Sequence, residues 1–216
     1  MNGVRPLVLL GGGGHGKVLL ALAQAAALPV AGVCDPALAA GGIREWFGVP
    51  VLGADDALDR LDPGAVSLVN GVGQLPRSSL REQVFAAARA KGFGFPPLVH
   101  PMAWVAPGVV LEEGAQVMAG AIVQPGARLG ANTVVNTRAS VDHDCAVGAH
   151  VHIAPGAVLC GGVHVGDHAF VGAGATLIQG VRIGVRAVIG AGALVVSDVD
   201  EGALVLGAKG SARPGR

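Results

Sequence analysis

The chain contains no tyrosine, and aromatic residues make up only 3% of its 216 positions. A thick core organised around aromatic rings is therefore not expected; the elements must be thin enough for aliphatic side chains to fill the space between them. Charge is scarce as well, since Asp, Glu, Lys and Arg together account for 14% of residues and the formal net charge is zero. There is no electrostatic footprint for nucleic acid or for an anionic lipid surface. Cysteine is limited to Cys34, Cys145 and Cys160, an odd number without metal-type spacing, as expected of a reduced, cytoplasmic chain. Mean hydropathy is +0.57, yet there is no run of about 18 uninterrupted apolar residues. The most apolar window, Val18 to Val33, is broken by Gln24, Pro29 and Gly32. No basic segment precedes a cleavable hydrophobic one, so no secretion signal is expected.

What the chain has in abundance is glycine, 36 residues, and a repeat. From Val99 to Val195 every sixth residue is Val, Leu or Ile, seventeen times in succession. Neither the period of a helix nor that of a strand produces this spacing. A solenoid turning a corner every six residues does, because each face then supplies one inward aliphatic side chain per pass. Four residues after each of these the position is almost always small, as at Ala115, Ala121, Ala127, Thr133, Ala139 and Cys145. Large and small residues in alternation fill a narrow triangular prism without voids. Between them fall Gly108, Gly114, Gly120, Gly126, Asn132, Asp144 and Gly156, residue types that tolerate a left-handed backbone at a corner. About five coils are expected, ending near residue 199, with the remaining tail as a cap.

Residues 1–95 follow a different grammar. Strands are expected at Leu7–Leu10, Val30–Cys34 and Ala65–Asn70, and helices at Lys17–Ala27 and Ser78–Lys91, a βαβ order that implies a small parallel sheet. The segment Gly92–Pro101, with two glycines and three prolines, reads as a hinge between this unit and the solenoid of residues 96–216. After the first strand comes Gly11-Gly12-Gly13-Gly14-His15-Gly16, and Asp35 ends the second strand. Glycines at a strand–helix junction let the backbone approach a phosphate while the N–H groups of the helix start face its charge. The region is too short for the second half of a dinucleotide site, so a nucleotide-sugar suits it better. A tight turn without ligand is the plainer reading, and His15 could face either ligand or solvent. A second loop, Asn70-Gly71-Val72-Gly73-Gln74, opens on the same sheet edge, with Arg77 just beyond it.

Five histidines, His143, His150, His152, His164 and His168, lie in an otherwise histidine-poor repeat. Residues eighteen apart stack in neighbouring coils at about 4.8 Å. His143 then lies beneath Gly161, an imidazole beside a backbone amide with no intervening side chain. A base next to an N–H is the layout of acyl transfer, one group removing a proton and the other stabilising an oxyanion. Asp142 and Asp144 flank His143 and would orient its ring. His150 lies beneath His168, which reads either as two solvent-facing corner residues or as part of a zinc site. His164 reads as a surface residue, and Cys145 as a small core residue.

The Gly11–Gly16 loop, Leu98-Val99-His100-Pro101 at the junction, and Asn136-Thr137-Arg138-Ala139-Ser140-Val141-Asp142-His143-Asp144-Cys145 together resemble the bacterial sialic acid O-acetyltransferase family. That family includes N-acetyltransferases of UDP-4-amino-sugars, and the resemblance spans nearly the whole chain. It implies a Rossmann-like α/β domain followed by a left-handed parallel β-helix, assembled as a homotrimer with acetyl-CoA between adjacent prisms. By resemblance His143 is the general base, Asp144 supports it, and the Gly161 amide faces the thioester carbonyl. His152 and Asn136 are implied to contact cofactor. Gly11, Gly12, Gly13, Gly14, His15 and Asp35 are implied to contact the nucleotide of the acceptor. The chain departs from the family at Cys34-Asp35-Pro36, where many relatives carry two acidic residues, and after Val205-Leu206-Gly207, where Ala208-Lys209-Gly210 replaces a common closing motif.

The expected activity is acetyl transfer from acetyl-CoA to the amino group of a nucleotide-activated sugar, with no metal. A sugar O-acetyltransferase needs the same base and oxyanion site. The alternatives from other classes are a zinc-dependent protein of the carbonic anhydrase type and a non-catalytic nucleotide-sugar binding module.

Overall fold

The computed structural model describes residues 5–207. The first elements are β1 (Leu7–Leu10), α1 (Gly14–Ala25), β2 (Val30–Cys34), α2 (Pro36–Ala40), β3 (Glu45–Trp46), β4 (Val49–Gly53), a 3-10 turn over Asp55–Arg60, β5 (Ser67–Asn70) and α3 (Leu80–Ala90). The sheet order is β3-β4-β2-β1-β5, parallel except for β3 against β4. Every residue of β1 is buried, as a central strand read as a continuous apolar run should be. Because β2 pairs on one side of β1 and β5 on the other, the carboxyl ends of β1 and β5 diverge into a crevice. Ligands of open α/β sheets bind at such a switch point.

Helix α1 starts at Gly14, earlier than the expected Lys17, because the end of the glycine loop is already its first turn. Strand β5 starts at Ser67 because the Ala65 and Val66 N–H groups fold back on Asp62 O at 2.9 and 3.3 Å. Helix α2, β3 and β4 are additional to the expected elements. The first forms because Asp35 caps it by accepting from Leu38 N–H at 2.9 Å and Pro36 sits in its first turn, where a missing N–H costs nothing.

From Leu98 onward the chain winds as a left-handed parallel β-helix whose two-residue strands stack into three sheets. The first face has seven strands and begins with Leu98–Val99; the second has six and begins with Trp104–Val105; the third has five and begins with Val110–Leu111. Coil-to-coil hydrogen bonds such as Gln116 N–H to Thr133 O (2.8 Å) and Val134 N–H to Val151 O (2.9 Å) satisfy the backbone. Large residues at the sixth positions and small ones between them form one continuous buried core from Ala115 to Val195. Burial of each Val, Leu or Ile side chain there is worth roughly 1.5–3 kcal/mol.

The corners take a left-handed backbone at the expected glycines, at Asn132 and Asp144, and also at Arg138, His150, His168 and Arg186. The prism is longer than the five coils expected. Val199 bridges to Ile183 and Leu204–Val205 pairs with Val188–Ile189, a spacing of sixteen residues in place of eighteen. The last coil thus drops two residues at one corner, which hid it from a strict six-residue count.

The expected hinge is a clamp. Phe93, Phe95 and Leu98 are buried, Leu68 N–H donates to Gly94 O at 2.9 Å, and Phe95 N–H donates to Glu113 Oε1 at 3.0 Å. Its glycines and prolines shape a fixed path between the two units. Among the described residues no helix is long and apolar enough to cross a membrane.

Candidate active site

The glycine loop closes against the loop after β5. Gly11 adopts φ +97°, and a Cβ on it would lie 3.3 Å from Gly71 C. A side chain at Gly16 would run into the Gly11 carbonyl, so these positions require glycine for close packing. Gly13 and Gly14 instead face open space. Gly13 is the N-cap of α1, with no side-chain cap and no acidic residue in the first turn. The helix-start N–H groups and the positive end of the dipole are therefore left open for an anion. The cavity in front, about 290 Å³, is lined by both glycine loops, Asp35 and Asp55.

Asp35 carries structural duties in addition to lining this cavity. Its Oδ2 accepts from Gly12 N–H at 2.7 Å, and its Oδ1 caps α2. Burial works against its charge, but the N–H donors of Gly12, Leu38 and Ala37 outweigh that and hold the carboxyl below its ordinary range.

His15 points neither to solvent nor into this cavity. It crosses to the prism, with Nε2 2.8 Å from Gln116 Oε1. Burial, reinforced by the Arg81 charge and opposed by the Gln116 bond, brings its pKa down to about 4. It belongs to a polar seam that joins the two units. Asn70 Nδ2 donates to Arg81 O (2.9 Å) and to Asn132 Oδ1 (3.2 Å), and Gln116 Nε2 donates to Asn70 O (3.0 Å). Arg81 is 2% exposed. Its Nη1 donates to the Asn70 and Val72 carbonyls, each at 2.8 Å, tethering the second glycine loop from behind. Burial draws its pKa down to about 9, so it stays charged near neutrality.

His150 and His168 do stack, with centroids 5.0 Å apart and 8° between planes. They are not solvent-facing corner residues; both are half-buried, wedged into the same seam. His150 meets Asn132 at 3.0 Å and the Phe85 ring edge-on, and His168 meets Glu82 at 3.2 Å. Among the described residues no cluster of three or more His, Cys, Asp or Glu side chains could hold a metal ion. His164 is exposed on the third face, and Cys145 is buried in the core.

His143 lies at the corner between the second and third faces. The corners leave the N–H of their second residue outside the coil-to-coil ladder. At Thr137 and His143 the preceding side chain takes it up, Asn136 Oδ1 and Asp142 Oδ1 each accepting at 2.7 Å. Gly161 is the same position one coil on, and its N–H has no acceptor among the described residues. A Cβ on Gly161 would sit 2.5 Å from His143 Nε2 and 2.6 Å from Cε1, so the imidazole occupies the space a side chain would fill. The other ring nitrogen, Nδ1, is 2.9 Å from Asp144 Oδ2. The Asp144 hydrogen bond, supported by the Asp142 charge, raises the His143 pKa. With Nδ1–H donated to Asp144, Nε2 is the free acceptor, and it lies against Gly161 on an exposed side chain.

His143, Asp144 and Gly161 are thus brought together, whereas Asn136 and His152 lie elsewhere on the chain. Asn136 is at the corner between the first and second faces. His152 is on the first face, stacked on Phe170 at 5.1 Å and 7% exposed beneath the α/β unit. Burial, with the His15 charge, lowers its pKa to about 3, and its Nδ1 has no partner. Sequence reasoning missed Arg81, Asn70, Gln116 and Asn132 as members of the seam.

A switch-point glycine cleft joined to a six-residue-repeat prism with a histidine set against a bare glycine defines a hexapeptide-repeat acyltransferase with an N-terminal Rossmann-like unit. Comparison with known proteins agrees. Residues 6–87 match the model of the PglD N-terminal domain. The acetyltransferase domain of PglB from Neisseria gonorrhoeae, solved with acetyl coenzyme A, is 36% identical over 95% of this chain and 97% of its own, with a TM-score of 0.85. A variant of GDP-perosamine N-acetyl transferase from Caulobacter crescentus, solved with CoA and GDP-perosamine, is 39% identical over 95% of both chains, with a TM-score of 0.86. WeeI from Acinetobacter baumannii is 25% identical over 94% of this chain and 97% of its own, with a TM-score of 0.82. The chain belongs to the NeuD/PglD-type family and is an acetyltransferase.

Proposed function

We propose that this protein transfers the acetyl group of acetyl-CoA to the amino group of a nucleotide-activated amino-sugar. The observation that carries the reading is the His143 Nε2 set against Gly161, whose N–H is left free by the coil. In this reading the sugar amine attacks the thioester carbonyl carbon while His143 Nε2 removes its proton. The Gly161 N–H donates to the oxygen as it becomes negative, and Asp144 keeps Nε2 the proton-free nitrogen and supports the imidazolium that forms. Collapse of the tetrahedral intermediate breaks the carbon–sulfur bond, and the CoA thiolate leaves and takes up a proton. The two relatives solved with acetyl coenzyme A and with CoA and GDP-perosamine support both cosubstrates, and the latter supports an amine acceptor.

The nucleotide is assigned to the cavity of Gly11–Gly14 and Gly71–Gly73, with its phosphates at the start of α1. That α/β unit packs on the first face and on the corner leading into it, through Gln116, Asn132 and His150. His143 is at a different corner. An acceptor held by one chain therefore meets the histidine of another, which calls for an oligomer. The second face supplies a surface for it, with Trp104, Ile122, Val158 and Leu194 aligned in register and exposed. A homotrimer with acetyl-CoA between adjacent prisms satisfies both conditions, and Asn136, at the corner leading into the second face, is assigned to a cofactor contact at that boundary; His152, buried on the first face beneath the α/β unit, does not reach it. The end of the tail, Ala208 to Arg216, lies outside the described residues.

The test is acetyl-CoA-dependent thiol release with a panel of UDP-, dTDP-, CMP- and GDP-linked amino-sugars. Turnover with at least one is expected, and His143→Ala should lower kcat by about 10²–10⁴-fold. No turnover with any of them would remove the acceptor class; an active His143→Ala would remove the base. Sedimentation should give a trimer at micromolar concentration, and a monomer would sink the shared-site arrangement.

A further inference from the structure

The proposed acceptor cavity has an uneven chemistry. Apart from backbone, its polar lining groups among the described residues are two carboxylates, Asp35 and Asp55; the rest is glycine, proline and aliphatic side chain. A carboxylate accepts hydrogen bonds and donates none. Asp35 is committed to Gly12 N–H and Leu38 N–H. Asp55 is not committed. It opens the 3-10 turn and is exposed, and the nearby Arg60 pairs with Asp56. Among the described residues Asp55 has no ion-pair or hydrogen-bond partner.

Asp55 also marks a boundary. A second cavity of about 250 Å³ shares Leu10, Asp55, Leu80 and Val84 with the first. Its walls are mostly apolar, including Leu58, Ala87 and Ala88, with Lys91 and Gln83 as the other polar side chains, the Gln83 amide donating to Ser79 Oγ at 3.0 Å. Glycine backbone and the open start of α1 suit phosphates at one end. An apolar slot suits the flat face of a base at the other, and one free acceptor-only group stands between them.

Resting on the nucleotide-sugar reading above, the geometry points to guanine as the base, read by Asp55. The edge of guanine presents two adjacent donors, N1–H and the N2 amino group, which match the two oxygens of one carboxylate as a bidentate pair. Uracil offers a single N3–H flanked by two carbonyl oxygens, which a carboxylate repels. Cytosine and adenine each place a ring acceptor beside their amino group. The two adjoining cavities give a two-ring base room that uracil would leave unfilled. Lys91, held by Asp59 at 2.6 Å, stands at the edge of this slot.

Isothermal titration of the full-length protein with GDP, UDP, CDP, ADP and xanthosine diphosphate tests this assignment. GDP is expected to bind at least about tenfold more tightly than UDP, in keeping with the discrimination typical of a bidentate base contact. Asp55→Asn should weaken GDP about tenfold, leave UDP within about threefold, and improve xanthosine diphosphate, whose C2 carbonyl matches the new amide donor. A merely structural Asp55 would not redirect base preference in this way. Equal or tighter binding of UDP overturns the guanine assignment while leaving the nucleotide-sugar reading intact, and so does an unchanged GDP-to-UDP ratio in Asp55→Asn. Failure of the unsubstituted protein to bind any of the five would remove the nucleotide-sugar reading itself.

Discussion

Gly161→Ala isolates the proposed catalytic contact more cleanly than removal of the histidine. The added Cβ would stand 2.5 Å from His143 Nε2, about 1 Å inside the distance at which non-bonded atoms attract. The ring must therefore swing away, and the Nδ1–Asp144 contact of 2.9 Å is lost with it. The swing is cheap for the fold. His143 is 63% exposed at its side chain, and Gly161 is not among the glycines held at positive φ, so alanine meets no backbone strain. Stability should change by no more than about 0.5 kcal/mol, as for ordinary surface substitutions. Catalysis is far more sensitive, because a displacement of about 1 Å can lower a rate about 10²-fold. That corresponds to about 2.7 kcal/mol of transition-state stabilisation at 1.36 kcal/mol per factor of ten.

The neighbouring Gly162 supplies the control. It has φ +69° with nothing near its Cβ, so Gly162→Ala is strained without touching the ring. It should lower stability by about 1 kcal/mol and the melting temperature by about 2–4 °C, with kcat/KM within about threefold of the parent. Thermal melting and steady-state thiol release on both variants give opposite patterns if the reasoning holds. A fully active Gly161→Ala would refute it, as would equal losses of activity in the two variants.

The six-residue period carried the prism and the pairing of His143 with Gly161 because a solenoid converts sequence distance into spatial distance by a fixed rule. The same rule brought His150 beneath His168 but left open what faces them. Their burial is set by Phe85 and Glu82, residues with no periodic relation to the repeat. Arg81 was illegible for a related reason. An arginine in the first turns of a helix looks solvated, and only the docking of α3 against the prism buries it over the Asn70 and Val72 carbonyls. Asp35 could be placed at the end of β2 because an acidic residue after a buried strand is a local signal. Its capping of α2 was not legible, because the acceptor role needs Leu38 N–H brought round by a short helix that Pro36 opens. Asp55 left no signal at all, since the cavity it lines is closed by α3 some 25 residues later in the chain. Periodic and local signals were readable, and contacts between the two units were not.

Two pH dependences follow from the same structure. His143 must be neutral to act as a base, and its pKa is raised above 6.5 by the Asp144 hydrogen bond and the Asp142 charge. The kcat/KM profile should therefore rise with pH through a midpoint above 6.5, and Asp144→Asn should move that midpoint down; an unmoved midpoint would show that another group titrates. Stability has its own dependence, set at the seam. His15 and His152 titrate near 4 and 3 in the folded protein, against 6.5 when unfolded. Between those values the unfolded chain binds more protons, so stability is fully present above about pH 6.5 and is lost as pH falls toward 4 and below. For His15 alone the loss amounts to about 3 kcal/mol. His152→Phe, which keeps a ring to stack on Phe170, should flatten the decline in urea midpoint between pH 6.5 and 4. If the decline keeps its slope, His152 is not among the groups that carry the acid sensitivity, which then rests on His15 and on groups outside the seam.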